Sequence, residues 1–283
     1  MALPAFVALV SDTAALGVSE LTVVTAAIQK QVARDLKQHW DIQGTVSAFA
    51  RLEDVPAGFW PVIVRDDIEE DAEGTHCDDH GQPLALVTSG PSWSVTASHE
   101  VLEMLVDPFG NRTVAGPSPK ADQGRVEFLV EVADPVGDSV YTVDGIKVSD
   151  FCTPRFFDPQ PSAGVQYCAT GSIQGPREIL VDGYLTWHDP VSNEWWQRSR
   201  FGGEDAIVSL GPLLKTACGM RTVIDPLAAR RRRDRARARE TPAVESLARG
   251  IVDPKHVASS RAKAEAWRAL IRRIYDDCRA RRP

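Results

Sequence analysis

Eleven consecutive residues, Ser98-His99-Glu100-Val101-Leu102-Glu103-Met104-Leu105-Val106-Asp107-Pro108, limit what this chain can become more than any other stretch. Residues four apart on an α-helix lie about 40° from one another, at roughly 100° per residue, so His99 and Glu103 project together. On the same wheel Glu100 and Asp107 fall about 100° and 80° from His99, while Val101, Leu102, Met104, Leu105 and Val106 sweep the remaining arc. Such a helix sets its titratable groups on one side and core on the other. Ser92 or Ser94 can cap its start, and Pro108 with Gly110 ends it.

The spacing His99-Glu100-x-x-Glu103 has a definite chemistry open to it. In H-E-x-x-H sites the flanking residues bind zinc and the glutamate takes a proton from the metal-bound water, whose pKa falls toward about 7. Here a carboxylate replaces the second imidazole, which adds negative charge and makes the site harder; zinc is the expected ion, with manganese or iron as alternatives. The competing reading is an ordinary amphipathic helix with its charges on a solvated face. A three-ligand site needs one more group. Glu127 to Asp134 reads as a strand, stopped by Pro135, whose alternation sets Phe128, Val130, Val132 and Asp134 on one face and Glu127, Leu129, Glu131 and Ala133 on the other. Asp134, at the end of the apolar face, is a carboxylate that a metal would neutralise; Glu131 is the other candidate, and alternation does not choose between them.

The elements before the motif give an α/β (α+β) reading. A strand at Phe6 to Val10 precedes a long helix from about Ser19 to Trp40, then strands at Thr45 to Ala50 and Trp60 to Ile68, a turn-rich stretch at Glu69 to Gln82, and a short strand at Leu84 to Thr88. This order is similar to the catalytic half of zincin metallopeptidases. With Asp107-Pro108 and Glu131-Val132-Ala133-Asp134, the motif also resembles the H-E-L-x-E, T-[DN]-P and E-I-[AG]-D arrangement of Exordium or phosphate-induced proteins and of metallopeptidase-type bacterial proteins of undefined substrate. Other marks are Gln29-Lys30-Gln31-Val32, Arg34-Asp35, Gly81-Gln82-Pro83, Phe109-Gly110-Asn111 and Trp187-His188-Asp189-Pro190.

The resemblance spans somewhat over half the chain and implies a zincin-like mixed sheet. His99 and Glu103 would be metal ligands, Glu100 the general base, and Glu131 or Asp134 the remaining ligand. Leu84 to Thr88 would be the edge strand that lays out a peptide substrate. The implied activity is zinc-dependent hydrolysis of a peptide or amide bond. Glu103, and the lack of an H-x-x-G-x-x-H extension, keep open a non-catalytic metal-binding or interaction protein on a degenerate zincin fold.

Gly74-Thr75-His76-Cys77-Asp78-Asp79-His80-Gly81 reads as a surface turn; were His76 to face a cleft, it could polarise a substrate carbonyl or steady an oxyanion. Trp187, Trp195 and Trp196 are read as core or cleft wall, and His188 as hydrogen-bonded rather than ligating. Asn111 to Gly124 and Asp158 to Gly175 read as loops, and Ser139 to Val148 as a hairpin turning at Asp144-Gly145.

The net charge of −7 conceals a division: residues 1–220 hold 14 Lys and Arg against 31 Asp and Glu, and residues 221–283 hold 18 against 8. We therefore divide the chain into a body over 1–220, with an N-terminal half 1–110 and a β-rich completion 111–220, and a basic tail over 221–283. The acidic body suits a site that concentrates divalent cations. The Arg-rich run from Arg230 to Arg239 could contact nucleic-acid phosphates or an anionic surface, but it lacks base-reading motifs; a linker or arm folded back on the body is the simpler reading. A last helix around Ala262 to Arg279 would dock by Trp267, Leu270, Ile271 and Ile274. Five cysteines form no C-x-x-C pair, which argues against a disulfide framework. No basic leader follows Met1 and no apolar run approaches the roughly 18 residues of a bilayer span, so cytoplasmic residence is the expectation.

Overall fold

Val7, Ala8, Leu9 and Val10 are all shielded from solvent, so the first strand, β1 (Ala5–Ser11), has core on both faces. Strands buried in this way belong in the middle of a parallel sheet. β1 pairs in parallel with β2 (Gly44–Phe49) and β3 (Trp60–Arg65), and β3 in parallel with β5 (Gln82–Thr88). β4 (Gly74–Asp79) joins β5 antiparallel, and the order is β2-β1-β3-β5-β4. Side-chain alternation sorts the faces: Val7, Leu9, Val62, Val64, Ala85 and Val87 meet the helices in the main core. Ala8, Val10, Ile63 and Leu86 enter smaller clusters closed by Leu52, Val55 and Phe59. The computed structural model describes residues 5–68, 72–79, 81–213 and 220–240.

The expected long helix runs unbroken from Val18 to Trp40 as α1 (Val18–Lys30), a π-helical segment (Gln31–Leu36) and α2 (Lys37–Trp40). Leu21, Val24, Ile28, Val32 and Leu36 form its buried stripe. Asp41, in the left-handed region at φ 52°, stops it.

Four expectations need correction. Leu84 to Thr88 lies within β5, which is interior, paired on both sides and unable to accept a substrate strand; the edge is β4, in the stretch read as a turn. Glycine, histidine and aspartate carry little strand propensity, and β4 exists because each residue from Gly74 to Asp79 pairs across to β5. The expected loop at Asn111 to Gly124 contains β6 (Thr113–Pro117), and the strand read as reaching Asp134 stops at Leu129 in β7 (Arg125–Leu129).

α3 (Trp93–Val106) follows β5 and packs against β3, β4, β5 and the strand β9 (Ile146–Ser149). β9 pairs with β8 (Val140–Val143) through Asp144 and Gly145, both at positive φ as a tight hairpin turn requires, and as expected. The second five-stranded sheet is antiparallel throughout. Its order is β12 (Ala206–Gly211), β11 (Glu194–Ser199), β10 (Tyr184–Asp189), β7 and β6. Trp187 and Trp195 are core here, and His188 is hydrogen-bonded to Glu127 and Asn193, both as read. The Asp158 to Gly175 stretch carries no helix or strand.

The Arg-rich segment forms one helix, α4 (Arg221–Glu240), and folds back on the body: Arg231 donates to Gln197 and Ser199, Arg232 pairs with Asp138, and Arg235 with Glu204. α4 also packs against β4. The last expected helix, Cys218, Cys278 and His80 lie outside the described residues. Cys77, Cys152 and Cys168 are buried, and none of them forms a disulfide among the described residues. No helix among the described residues is long and apolar enough to cross a membrane.

Candidate metal centre

α3 is buried almost all round, and its acidic residues are no exception: Glu100 is 3% exposed and Glu103 fully enclosed, which rules out a solvated charged face. Two features of the sequence allow this. Gly74 places bare backbone against α3, where a Cβ would lie 2.6 Å from Glu100 Oε1 and 2.5 Å from the Thr96 methyl. After β7 the chain turns sharply, so Ala133 N–H donates to Glu103 Oε1 at 3.0 Å and Asp134 opens a 3₁₀ turn (Asp134–Val136). Gly137, at φ 55°, closes that turn against the Val181 carbonyl, where no Cβ fits.

The result brings together every residue singled out from the sequence. His99 Nε2 lies 3.4 Å from Glu103 Oε2 and 3.2 Å from Asp134 Oδ1. Potential ligand atoms of His99, Glu103 and Asp134 all fall within 4.8 Å of one another. His76, read as a turn residue, is a buried strand residue of β4; its Nδ1 lies 3.2 Å from Glu100 Oε2 and 3.9 Å from Glu103 Oε2. Glu131 is buried beside Asp134 because the strand has ended by then, so alternation did not apply to either. His99 keeps 23% of its side chain exposed and gives the cluster its opening to solvent.

Two participants were missed. Arg221 and Asp225, one turn apart on α4, were assigned to a peripheral tail. Arg221 is 2% exposed; Nη1 meets Glu103 Oε2 in an ion pair without hydrogen-bond alignment, Nη2 lies 3.4 Å from Asp134 Oδ2, and Nε lies 3.4 Å from Asp225 Oδ2. Tyr184 Oη donates to Asp225 Oδ1 at 3.3 Å. Their only sequence signal was an i,i+4 Arg/Asp pair between the apolar residues Met220, Ile224 and Ala228.

No family model matches the chain, and no curated protein or solved structure matches it significantly. Its chemistry is therefore read from the cluster alone.

Burial opposes ionisation of Glu103, but Arg221 and His99 outweigh it and hold this carboxyl well below the usual range. Burial likewise opposes protonation of His99, and Glu103 with Asp134 reverse the balance, lifting the imidazole well above its ordinary value. Glu131 is pushed well up by burial and by Asp134. Burial also raises Asp225, to about 8, against the pull of Arg221. Five buried carboxylates (Glu100, Glu103, Glu131, Asp134 and Asp225) thus face a single buried guanidinium.

A divalent cation fits this composition. Both oxygens of Glu131 and His76 Nε2 are buried without a hydrogen-bond partner, and such atoms are costly unless paired or ligated. One imidazole with carboxylates is a donor set for zinc, manganese or iron.

Proposed function

We propose that this protein is a zincin-like, metal-dependent hydrolase of a peptide or amide bond, centred on His99, Glu103 and Asp134. The observation that carries the reading is the convergence of those ligand atoms within 4.8 Å, with the buried Glu100 next to His99 in the chain. The parallel sheet with one antiparallel edge strand next to the motif helix supports the zincin-like part.

Bound there, zinc or a similar ion would supply Lewis acidity, polarising a carbonyl and bringing water into reach of a carboxylate base. Glu100 takes the proton from the attacking water and returns it to the leaving nitrogen. His76 fixes the Glu100 carboxylate through Nδ1, and its Nε2, when protonated, can donate to the developing oxyanion. The Ala133 N–H holds Glu103 in place by its hydrogen bond to Oε1. Substrate reaches the centre from the exposed side of His99.

A second reading is a non-catalytic module on the same fold. Arg221 favours it, since its guanidinium already contacts Glu103 and Asp134, and α4 packs against the β4 edge. Metal analysis and one variant separate the two. The purified chain is expected to hold stoichiometric metal, and Glu100→Gln to keep it while losing hydrolysis of a peptide library by about 10²-fold or more. Absence of zinc affinity would favour the module, and undiminished activity in Glu100→Gln would remove Glu100 from the reaction.

A further inference from the structure

Asp134 belongs to two clusters. Besides His99 and Glu103, it joins Glu131 and Asp225, whose oxygens also lie within 4.8 Å of one another. Its two carboxylate oxygens divide the work: Oδ1 faces His99 at 3.2 Å, whereas Oδ2 faces Arg221 at 3.4 Å on the side of Asp225. Arg221 compensates this second cluster only in part. It lies 3.4 Å from Asp225 through Nε and 3.5 Å through Nη2, yet Glu131, 1% exposed, has no hydrogen-bond partner at either oxygen. For all three of these enclosed carboxyl groups to be ionised at one point, with Glu131 wholly unpartnered, a positive charge beyond that of Arg221 is needed.

Charge balance in the ligated form points the same way. With His99 neutral, as ligation requires, and all five carboxyls ionised, Glu100, Glu103, Glu131, Asp134 and Asp225 exceed the positive charge of Arg221 by four, so one divalent cation leaves half of the excess and two remove it.

We propose that Glu131, Asp134 and Asp225 hold a second divalent cation, joined through the Asp134 carboxylate to the ion on His99 and Glu103. The bridged form rests on the metal reading above; the carboxylate site itself does not. An all-oxygen donor set selects a hard ion such as manganese or magnesium, or zinc where it is abundant. Carboxylate-bridged pairs hold their ions about 3.5–4 Å apart.

The 283-residue chain, stripped with chelator and equilibrated with Mn²⁺, is the test. Two ions per chain are expected in the wild type with an exchange-coupled electron paramagnetic resonance spectrum, and one uncoupled ion in each of Glu131→Gln, Asp225→Asn and His99→Ala. A single ion that survives Glu131→Gln but not His99→Ala would overturn the second site and leave the first standing. A single ion with the reverse dependence would support the carboxylate site and overturn the bridge together with the hydrolase centre. Failure of all forms to bind would overturn both. Should either carboxamide variant not fold, the wild-type spectrum decides, because two equivalents of uncoupled Mn²⁺ would exclude a bridge at Asp134.

Discussion

A buried carboxylate is tolerable only where something positive or a hydrogen bond meets it, and each acidic residue of this centre meets that demand differently. Glu103 has Arg221, His99 and the Ala133 N–H; Glu131 has no hydrogen bond, only the more distant pull of Arg221, which burial and Asp134 outweigh. Arg221 should therefore matter most when no metal is bound. Arg221→Met is expected to cost about 3–5 kcal/mol in chelator, since it strands carboxylates that were paired, and added Zn²⁺ should restore part of that loss by binding only the folded chain. Chemical denaturation with and without zinc measures both; a variant as stable as the wild type in chelator would show that the guanidinium does not balance the cluster. At this scale the sequence exposed His99, Glu100 and Glu103 through helical spacing alone. It did not expose Arg221 and Asp225, because 87 residues separate Arg221 from Asp134 and no local pattern links them.

Among the elements, the long N-terminal helix is tied to the β8-β9 hairpin by a polar relay at its π segment. Gln31 Nε2 donates to the Ser149 carbonyl at 2.8 Å and to Tyr141 Oη at 3.1 Å, and Tyr141 Oη donates to Asp35 Oδ2 at 2.8 Å. Burial raises the Asp35 carboxyl, but its hydrogen bonds from Arg34 and Tyr141 prevail and hold it below the usual range. A carboxyl lowered on folding stabilises above its unfolded pKa of about 3.9 and loses that contribution as pH falls through the folded value. Tyr141→Phe is thus expected to cost about 1 kcal/mol at neutral pH. The gap between variant and wild type should shrink below about pH 4, where Asp35 takes up its proton. Urea midpoints at pH 7 and pH 3 check this, and a gap that widens in acid would contradict the relay. The helix was legible from its 3.6-residue apolar stripe and the hairpin from Asp144-Gly145. β4 was not legible, since a polar edge strand is made by its partner's hydrogen bonds and carries no alternating pattern of its own.

For the molecule as a whole, α4 links the two sheets: its first turn enters the centre beside β4, and Arg231 reaches Gln197 and Ser199 on β11 at 2.6 and 3.2 Å. Gln197 is fully buried, so Arg231→Ala would leave its carbonyl oxygen unpaired and should weaken docking of α4 by about 1–3 kcal/mol. Hydrogen exchange is expected to quicken across α4 while β1 and β3 stay protected; unchanged exchange in α4 would mean that packing alone holds it. The charge division between body and tail hinted at such an arm, but not that the arm carries parts of the centre. Local spacing and periodicity were enough for the sequence to determine the main strands, the long helix, and His99 and Glu103 on one side of α3, because those depend on neighbours a few residues away. Only tertiary structure decided that His76, Glu131, Asp134, Arg221 and Asp225 share one enclosed volume, since long-range strand pairing and a helix folded back across the chain create that volume, and the buried charge becomes costly only once it exists.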